Sequence, residues 1–244
     1  MAKTTSYSWG RVVYSRGPFD FNMLNTFGGV MGPSISLATG AALAAKLKRT
    51  DGVTMISFGD GTASRGEFHE AVNLAAVLKL PVVYVCQNNQ YSISTPSKKG
   101  LACRSVADRA LGYGIPGLEV DGNDVLAIHE AVQEGVRRAR QGKGPSLIEA
   151  RTYRIRGHFA WDQALYRPAE EVEEWKRRDP IARLQEKLMK SGLLTIENID
   201  RIQKALEEEI SLAMKEAEVD PSPGEKELGM GDIFAPAKER EARQ

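Results

Sequence analysis

Short runs of β-branched and apolar residues alternate with segments of helical period through the middle of the chain, and this alternation restricts the fold more than any other feature. VTMISF (53–58) and VVYVC (82–86) have the composition of buried parallel strands. The intervening GEFHEAVNLAAVLKL (66–80) has apolar residues at helical spacing, and Pro81 ends it. Strands that alternate with helices predict an α/β fold with an open, mostly parallel sheet and helices on both faces.

The same pattern continues on both sides of this unit. It predicts a small-residue helix from about Ser36 to Lys48, and then a short helix, a strand, a helix and a strand in SVADRALGYG, GLEV, NDVLAIHEAVQEGVRRARQG and PSLIEARTYR. The expected cap of the long helix is Asn123 or Asp124. Charged helices follow to about residue 218, and the last of them has an apolar stripe that indicates packing, made of Ile199, Ile202, Leu206 and Ile210. The expected division is an irregular segment 1–27, an α/β domain 28–167, C-terminal helices 168–218 and an extended tail 219–244.

Composition excludes several classes of protein. The net charge of +1 gives no basic field for a nucleic acid. We find no signal peptide and no apolar run of membrane-spanning length, so a cytoplasmic location is expected. The two cysteines, Cys86 and Cys103, are too few for a cluster and match no zinc spacing. Cys86 is expected to be inert packing within its strand.

Polar residues follow two of the predicted strands directly. Asp60 comes after the strand at 53–58, and Asn88 and Asn89 come after the strand at 82–86. Since ligands of open α/β sheets bind at the carboxyl ends of the strands, Asp60 and Asn89 are expected to meet at one edge. Their oxygen atoms suit Mg²⁺ or Ca²⁺. Asn88 is expected to serve the turn.

The glycines beside Asp60 indicate an anion. Gly59 and Gly61 allow a close backbone approach, and the N–H groups of Gly61 and Thr62 lie near the start of a predicted helix. No Walker sequence and no G-x-G-x-x-G order occurs. A metal site with few protein ligands also needs a phosphorylated partner, so these residues predict a diphosphate held through Mg²⁺.

These residues carry a resemblance to a known family. GDG, then 26 residues, then NN resembles the thiamine-diphosphate motif. The longer stretch FGDGTASRGEFHEAVNLAAVLKLPVVYVCQNNQYSIST, together with TYRIRGHFAWDQALYRPAEEVEEWKRRDPI, is similar to the alpha subunit of 2-oxo acid dehydrogenases. That family serves the pyruvate, branched-chain 2-oxo acid and acetoin dehydrogenase complexes. The similarity runs from about Phe27 to Pro221 and implies a thiamine-diphosphate-binding fold.

The resemblance implies roles for single residues around the metal. Asp60 and Asn89 would coordinate Mg²⁺ through their side chains and Tyr91 through its backbone carbonyl. Gly61 and Thr62 would hold the diphosphate.

Other implied roles lie farther along the chain. Gly29 and Met31, in FGGVMGPSI, match the segment that contacts the aminopyrimidine of thiamine diphosphate. His158, in RGHF, matches the active-site histidine, which lies near the diphosphate and the incoming lipoyl group. Four residues match those that order the loop around it: Arg154, Asp162, Tyr166 and Arg167. Phe159 stands where mitochondrial relatives have a phosphorylatable serine.

The implied reaction is oxidative decarboxylation of a 2-oxo acid, or cleavage of acetoin, with transfer of the acyl unit to a lipoyl group on an acyltransferase component. In this family a separate beta subunit supplies the glutamate that activates the cofactor, so an α2β2 heterotetramer is expected. The GHFAWDQALYRP loop favours pyruvate or acetoin over a branched-chain substrate.

Other interpretations stay open at this point. One is the cofactor-binding half of a split transketolase-like enzyme. Another is a non-catalytic assembly or regulatory paralogue, because Tyr14 and Arg16 do not match the N-terminal Tyr-Arg pair whose arginine binds the diphosphate in the family. Of the other histidines, His69 is expected to pack near a helix start, and His129 to be structural or solvent-facing.

Overall fold

The structure, a computed structural model, describes residues 31–222 and residue 224. Gly29, the predicted segment 1–27 and nearly all of the predicted tail lie outside the described residues. The strands are β1 (Thr54–Gly59), β2 (Val82–Asn88), β3 (Tyr91–Ser92), β4 (Thr95–Pro96), β5 (Gly117–Asp121) and β6 (Ser146–Arg151). The helices are α1 (Met31–Leu47), α2 (Gly66–Val77), α3 (Ser97–Gly100), α4 (Val125–Arg140), α5 (Ala169–Lys176), α6 (Pro180–Lys190) and α7 (Ile196–Val219).

The four longer strands form one parallel sheet in the order β1-β2-β6-β5. Helices cover both faces. One face packs Tyr84 and Leu147 against Ile35 of α1 and Phe68 of α2. The other face packs aliphatic side chains of β2 and β6 against Ala131 of α4. The predicted α/β fold with an open parallel sheet is therefore confirmed.

Two helix boundaries differ from the prediction. Helix α1 begins at Met31 and not near Ser36, because Gly32 and Pro33 occupy its first turn, where a missing N–H costs no hydrogen bond. Helix α2 ends at Val77 and not at residue 80. There Lys79 adopts a left-handed conformation, and the N–H of Leu80 bonds back to the carbonyl of Ala75, which closes the helix end.

The short helix predicted in SVADRALGYG forms over residues 107–113 and is of the 3-10 type. Strand β1, predicted to be buried, is an edge strand of the described sheet, and its Met55 is 59% exposed. Asp124 caps α4 by accepting hydrogen bonds from the N–H groups of Leu126 and Ala127, so that prediction is confirmed for Asp124.

The described chain falls into two compact units, with the boundary between Leu194 and Thr195. Helix α7, in the second unit, begins with a capping box of Thr195 and Asn198. Its predicted apolar stripe is half-exposed or exposed. In the part of the chain described, no helix is long and apolar enough to cross a membrane.

Candidate functional site

Asp60 lies directly beyond β1, at the carboxyl edge of the sheet. The register pairs Gly59 with Gln87, so Asp60 stands at the level of Asn88 on the neighbouring strand. The residue is 3% exposed, and none of the ion pairs within the described residues includes it. Burial raises its pKa, and hydrogen bonds from its own backbone, the Ser97 side chain and the Gly61 backbone oppose this, as does the positive charge of Arg154. The edge therefore holds a buried carboxylate that no cation of the described residues contacts.

The turn after Asp60 is tightly packed. A Cβ on Gly61 would overlap the Ser92 hydroxyl and lie 2.7 Å from Ser92 Cβ, so glycine is required here for space. Its φ of −62° is one that any residue adopts. Buried Thr62 follows and opens a 3-10 turn that ends at Ser64. This turn contacts the β3–β4 hairpin and brings the two predicted ligand segments together.

Side-chain hydrogen bonds shape the loop from Asn88 to Tyr91. Asn88 Oδ1 accepts from the backbone N–H of Gln90 at 3.1 Å, which confirms its predicted role in the turn. Asn89 Oδ1 accepts from the N–H of Tyr91 at 3.2 Å. The Tyr91 carbonyl accepts from Arg154 Nη1 at 3.0 Å. Since a carbonyl oxygen has two lone pairs, the contacts among the described residues leave Asn89 Oδ1 and the Tyr91 carbonyl one lone pair each for a further ligand.

A chain of hydrogen bonds connects His158 to this loop. The His158 N–H donates to Asp162 Oδ2 at 2.7 Å, and the Tyr166 hydroxyl donates to the same oxygen at 2.8 Å. Arg154 Nη2 donates to the Tyr166 hydroxyl and Arg154 Nη1 to the Tyr91 carbonyl. The backbone N–H of His158 and the Tyr91 carbonyl are thus linked through three side chains, while the His158 residue is exposed.

The comparisons with known proteins identify the family. A sequence model described as "Dehydrogenase E1 component" matches residues 21–226. The chain is 45% identical over 181 residues to 2-oxoisovalerate dehydrogenase subunit alpha of Bacillus subtilis, a match that covers 74% of this chain and 54% of that protein. It is 43% identical over 207 residues to the subunit alpha of acetoin:2,6-dichlorophenolindophenol oxidoreductase of the same organism, covering 84% and 61%. Pyruvate dehydrogenase E1 component subunit alpha of Acholeplasma laidlawii is 41% identical over 191 residues, covering 78% and 55%.

The chain belongs to the dehydrogenase E1 component family. These relatives are named as alpha subunits of 2-oxoisovalerate dehydrogenase, of acetoin:2,6-dichlorophenolindophenol oxidoreductase and of pyruvate dehydrogenase, which confirms the resemblance. The chain spans 54% to 61% of the length of these three relatives.

In this E1 family member, Arg167 anchors the start of the loop that carries His158. Its guanidinium is buried and donates to the carbonyls of Arg154, Ile155 and Arg156, and it lies 5.2 Å from the centroid of the Tyr153 ring. With one side chain satisfying three successive carbonyls, the backbone at the start of the loop is fixed.

Three residues around the candidate site were missed by sequence reasoning. The Ser97 side chain opposes the rise in the pKa of Asp60. Arg109 donates to the Ala63 carbonyl and lies 3.4 Å from Ser64 Oγ. Glu149, in the middle of β6, is 1% exposed. Only Glu149 has a recognisable signal, because a charged residue inside the apolar run SLIEA must have dedicated partners if the strand is buried.

The remaining candidates behave as packing or surface residues. His69 packs against Tyr113 and hydrogen-bonds its hydroxyl, and burial followed by the charge of Arg109 lowers its pKa. His129 is exposed on α4, as predicted. Cys86 is fully buried, and burial raises the pKa of its thiol well above the usual range, which fits the predicted inert role.

A cleft of about 900 Å³ lies near the carboxyl ends of β5 and β6 and contains none of the predicted site residues. Its wall includes Glu119, which pairs with both Arg104 and Arg151. Its wall also holds other acidic side chains, but no group of three His, Cys, Asp or Glu among the described residues could hold a metal, so the cleft gives no support for a competing metal site.

Proposed function

We propose that this chain is the alpha component of a 2-oxo acid dehydrogenase complex and binds Mg²⁺ with thiamine diphosphate. Asp60, Asn89 and the Tyr91 carbonyl hold the metal, and Gly61 and Thr62 hold the diphosphate. The observation that carries the proposal is the buried Asp60 carboxylate, which has no contacting cation among the described residues and lies at the same sheet edge as two oxygen donors with free lone pairs.

The donor set suits a hard cation. A carboxylate, an amide oxygen and a backbone carbonyl are oxygen ligands of the kind that Mg²⁺ takes, and the rest of its octahedron commonly comes from phosphate and water. Among the described residues no group of three His, Cys, Asp or Glu could hold a metal, so a softer all-side-chain site finds no support there. The positive Arg154 beside Tyr91 also favours a metal that arrives with an anionic diphosphate.

Bound thiamine diphosphate supplies a nucleophilic carbon and an electron sink for the decarboxylation. The chain contributes position and charge. Met31, in the first turn of α1, and Gly29 are proposed to contact the aminopyrimidine. His158 is proposed to donate a hydrogen bond or a proton near the diphosphate and the lipoyl group, since its loop is anchored while its residue stays exposed.

Substrate and partners extend the proposal. The named relatives act on 2-oxoisovalerate, acetoin and pyruvate. For this chain we propose a pyruvate-like 2-oxo acid or acetoin, with acyl transfer to the lipoyl group of an acyltransferase component. A beta subunit would complete the site in an α2β2 heterotetramer and supply the activating glutamate. A cytoplasmic location stays a prediction.

Turnover by the chain co-expressed with its beta subunit tests the proposal. We expect Mg²⁺- and thiamine-diphosphate-dependent consumption of pyruvate or acetoin, with 3-methyl-2-oxobutanoate assayed beside them. His158→Ala is expected to lower turnover by about a hundredfold or more, the usual contribution of a positioned proton donor. His129→Ala, an exposed histidine on α4, is the matched control and should retain activity.

Two results would contradict the proposal. Ketol transfer between sugar phosphates without decarboxylation would favour a split transketolase-like enzyme. A complex that assembles but turns over none of the three substrates would favour a non-catalytic paralogue.

A further inference from the structure

Glu149 carries a buried charge in the middle of the sheet. It belongs to β6, and its Cα lies in register with Cys86 on one side and Glu119 on the other. Glu119 forms ion pairs with two arginines, but no ion pair within the described residues includes Glu149. A buried carboxylate costs several kcal/mol unless hydrogen bonds satisfy it. Its presence in an otherwise apolar strand therefore needs an explanation.

Each oxygen of the Glu149 carboxylate accepts one hydrogen bond from a neutral N–H group. Oε1 accepts from Asn88 Nδ2 at 2.6 Å, and Oε2 accepts from the backbone N–H of Ala107 at 2.8 Å. The second bond joins β6 to the start of the 3-10 helix at 107–113. The first joins β6 to the end of β2, where the loop with the proposed metal ligands begins.

The Asn88 amide connects Glu149 to that loop, because Asn88 hydrogen-bonds to both. Glu149 only accepts, so it faces the Asn88 NH₂ group, and Asn88 Oδ1 must then point the other way. There Oδ1 accepts from the backbone N–H of Gln90 at 3.1 Å and from Gln90 Nε2 at 3.3 Å. Gln90 has a φ of 71°, a left-handed conformation that a non-glycine residue keeps only when its surroundings hold it.

We propose that Glu149 is a positioning residue for the metal-binding loop, acting through Asn88 on the turn that presents Asn89 and the Tyr91 carbonyl. This inference rests on the proposed function, because it assigns Glu149 a role toward the same Mg²⁺ site. The hydrogen bonds that Glu149 accepts within the described residues come from Asn88 and Ala107, and none comes from a proposed metal ligand. Its carboxylate fixes which end of the Asn88 amide faces the loop.

The direction of these hydrogen bonds can be tested by exchanging the carboxylate at position 149 with the amide at position 88. In Glu149→Gln the new amide has one oxygen to accept from two donors, Asn88 Nδ2 and the Ala107 N–H. If the oxygen faces Asn88, the new NH₂ group faces the Ala107 N–H. If the oxygen faces Ala107, the Asn88 amide must rotate, and its NH₂ group then faces the Gln90 N–H. The double substitution Asn88→Asp with Glu149→Gln restores every pair. The new carboxylate accepts from the new amide and from Gln90, and the new amide oxygen accepts from Ala107.

The experiment uses the chain with its beta subunit. Thiamine diphosphate is titrated calorimetrically at a series of Mg²⁺ concentrations, and thermal unfolding is followed on the same samples in chelator without cofactor. We expect Glu149→Gln to lower the affinity for Mg²⁺ in these titrations by about ten- to a hundredfold. That is the usual cost of losing a group that orients a metal ligand. Glu130→Gln, on the exposed face of α4, is the matched control and should bind as the parent does.

The double variant decides between positioning and a general loss of stability. If Glu149 is a positioning residue, the double variant should bind Mg²⁺ within about threefold of the parent, because the two substitutions at neighbouring residues compensate each other. A Glu149→Gln variant that binds as the parent does would overturn the inference. So would a double variant that binds no better than Glu149→Gln, or one that fails to fold, because the exchange keeps every hydrogen bond. Where Glu149→Gln alone does not fold, a folded double variant with parental binding supports the inference.

A parent complex that binds no Mg²⁺ and thiamine diphosphate would refute the proposed function itself.

Discussion

Replacing Asp60 with asparagine keeps the size of the side chain and removes its charge. Burial raises the pKa of Asp60, so the folded chain holds a proton there more tightly than the unfolded chain does. Protonated Asp60 therefore contributes to the free energy of unfolding. This contribution is complete below the pKa that Asp60 has in the unfolded chain, and it is lost as the pH rises through the raised pKa of the folded chain. Above that raised pKa, and without metal, the desolvated carboxylate opposes folding.

We predict that Asp60→Asn leaves the free energy of unfolding in chelator unchanged or raises it, as measured by denaturant titration at pH 7. Asp51→Asn, an exposed aspartate before β1, is the control. A loss of more than about 1 kcal/mol, the typical cost of an ordinary destabilising mutation, would show that Asp60 stabilises the fold in its own right.

Single residues of the site differ in how far the sequence reveals them. The expected convergence of Asp60 and Asn89 rests on one helical crossover between two predicted strands, and the structure confirms that these strands are parallel neighbours. The role of Glu149 depends on which N–H groups lie within 3 Å of it, and one of them, from Ala107, comes from a segment 42 residues away. Such a partner is fixed by tertiary packing and leaves no local pattern.

The 3-10 helix at 107–113 supports the proposed diphosphate turn from the side. The Arg109 guanidinium donates to the carbonyl of Ala63, inside the turn that starts at Thr62. A hydrogen bond from a charged donor is worth about 1.5–3 kcal/mol. We predict that Arg109→Met weakens thiamine diphosphate binding by about tenfold at saturating Mg²⁺, which corresponds to about 1.4 kcal/mol.

Calorimetric titration of the complex with thiamine diphosphate measures this effect. Arg140→Met serves as the control, because Arg140 ends α4, and among the described residues its guanidinium donates to the Asp51 carbonyl and to no residue of the proposed site. Equal affinities for Arg109→Met and the parent would mean that the turn holds its shape without the 3-10 helix.

The helices and strands show where a sequence pattern is sufficient. Period and composition predict all four strands of the parallel sheet, and Asp124 predicts the start of α4. The start of α1 is misplaced because Gly32 and Pro33 resemble a break, although both are tolerated in a first turn. The end of α2 is misplaced because Lys79 takes a left-handed conformation that its sequence does not signal. The exposure of Met55 depends on strand order, which composition does not determine.

Three stretches far apart in the chain contribute to the proposed site: the turn after β1, the loop after β2 and the loop that holds His158. The pairing of β1 with β2 makes the first two neighbours. Arg154 joins the third to the second through the Tyr91 carbonyl. We propose that a beta subunit completes this site, so the complete reaction is expected from the assembly of the two subunits.

The binding of thiamine diphosphate by that assembly, titrated with and without Mg²⁺, is the measurement that tests the central claim. The parent complex should bind the cofactor only when Mg²⁺ is present. Asp60→Asn should lower that Mg²⁺-dependent affinity at least about tenfold while staying folded, because it removes the only charged side-chain ligand proposed for the metal. Metal-independent binding by the parent, or an Asp60→Asn variant with parental affinity, would contradict the assignment of this sheet edge as a Mg²⁺ and diphosphate site.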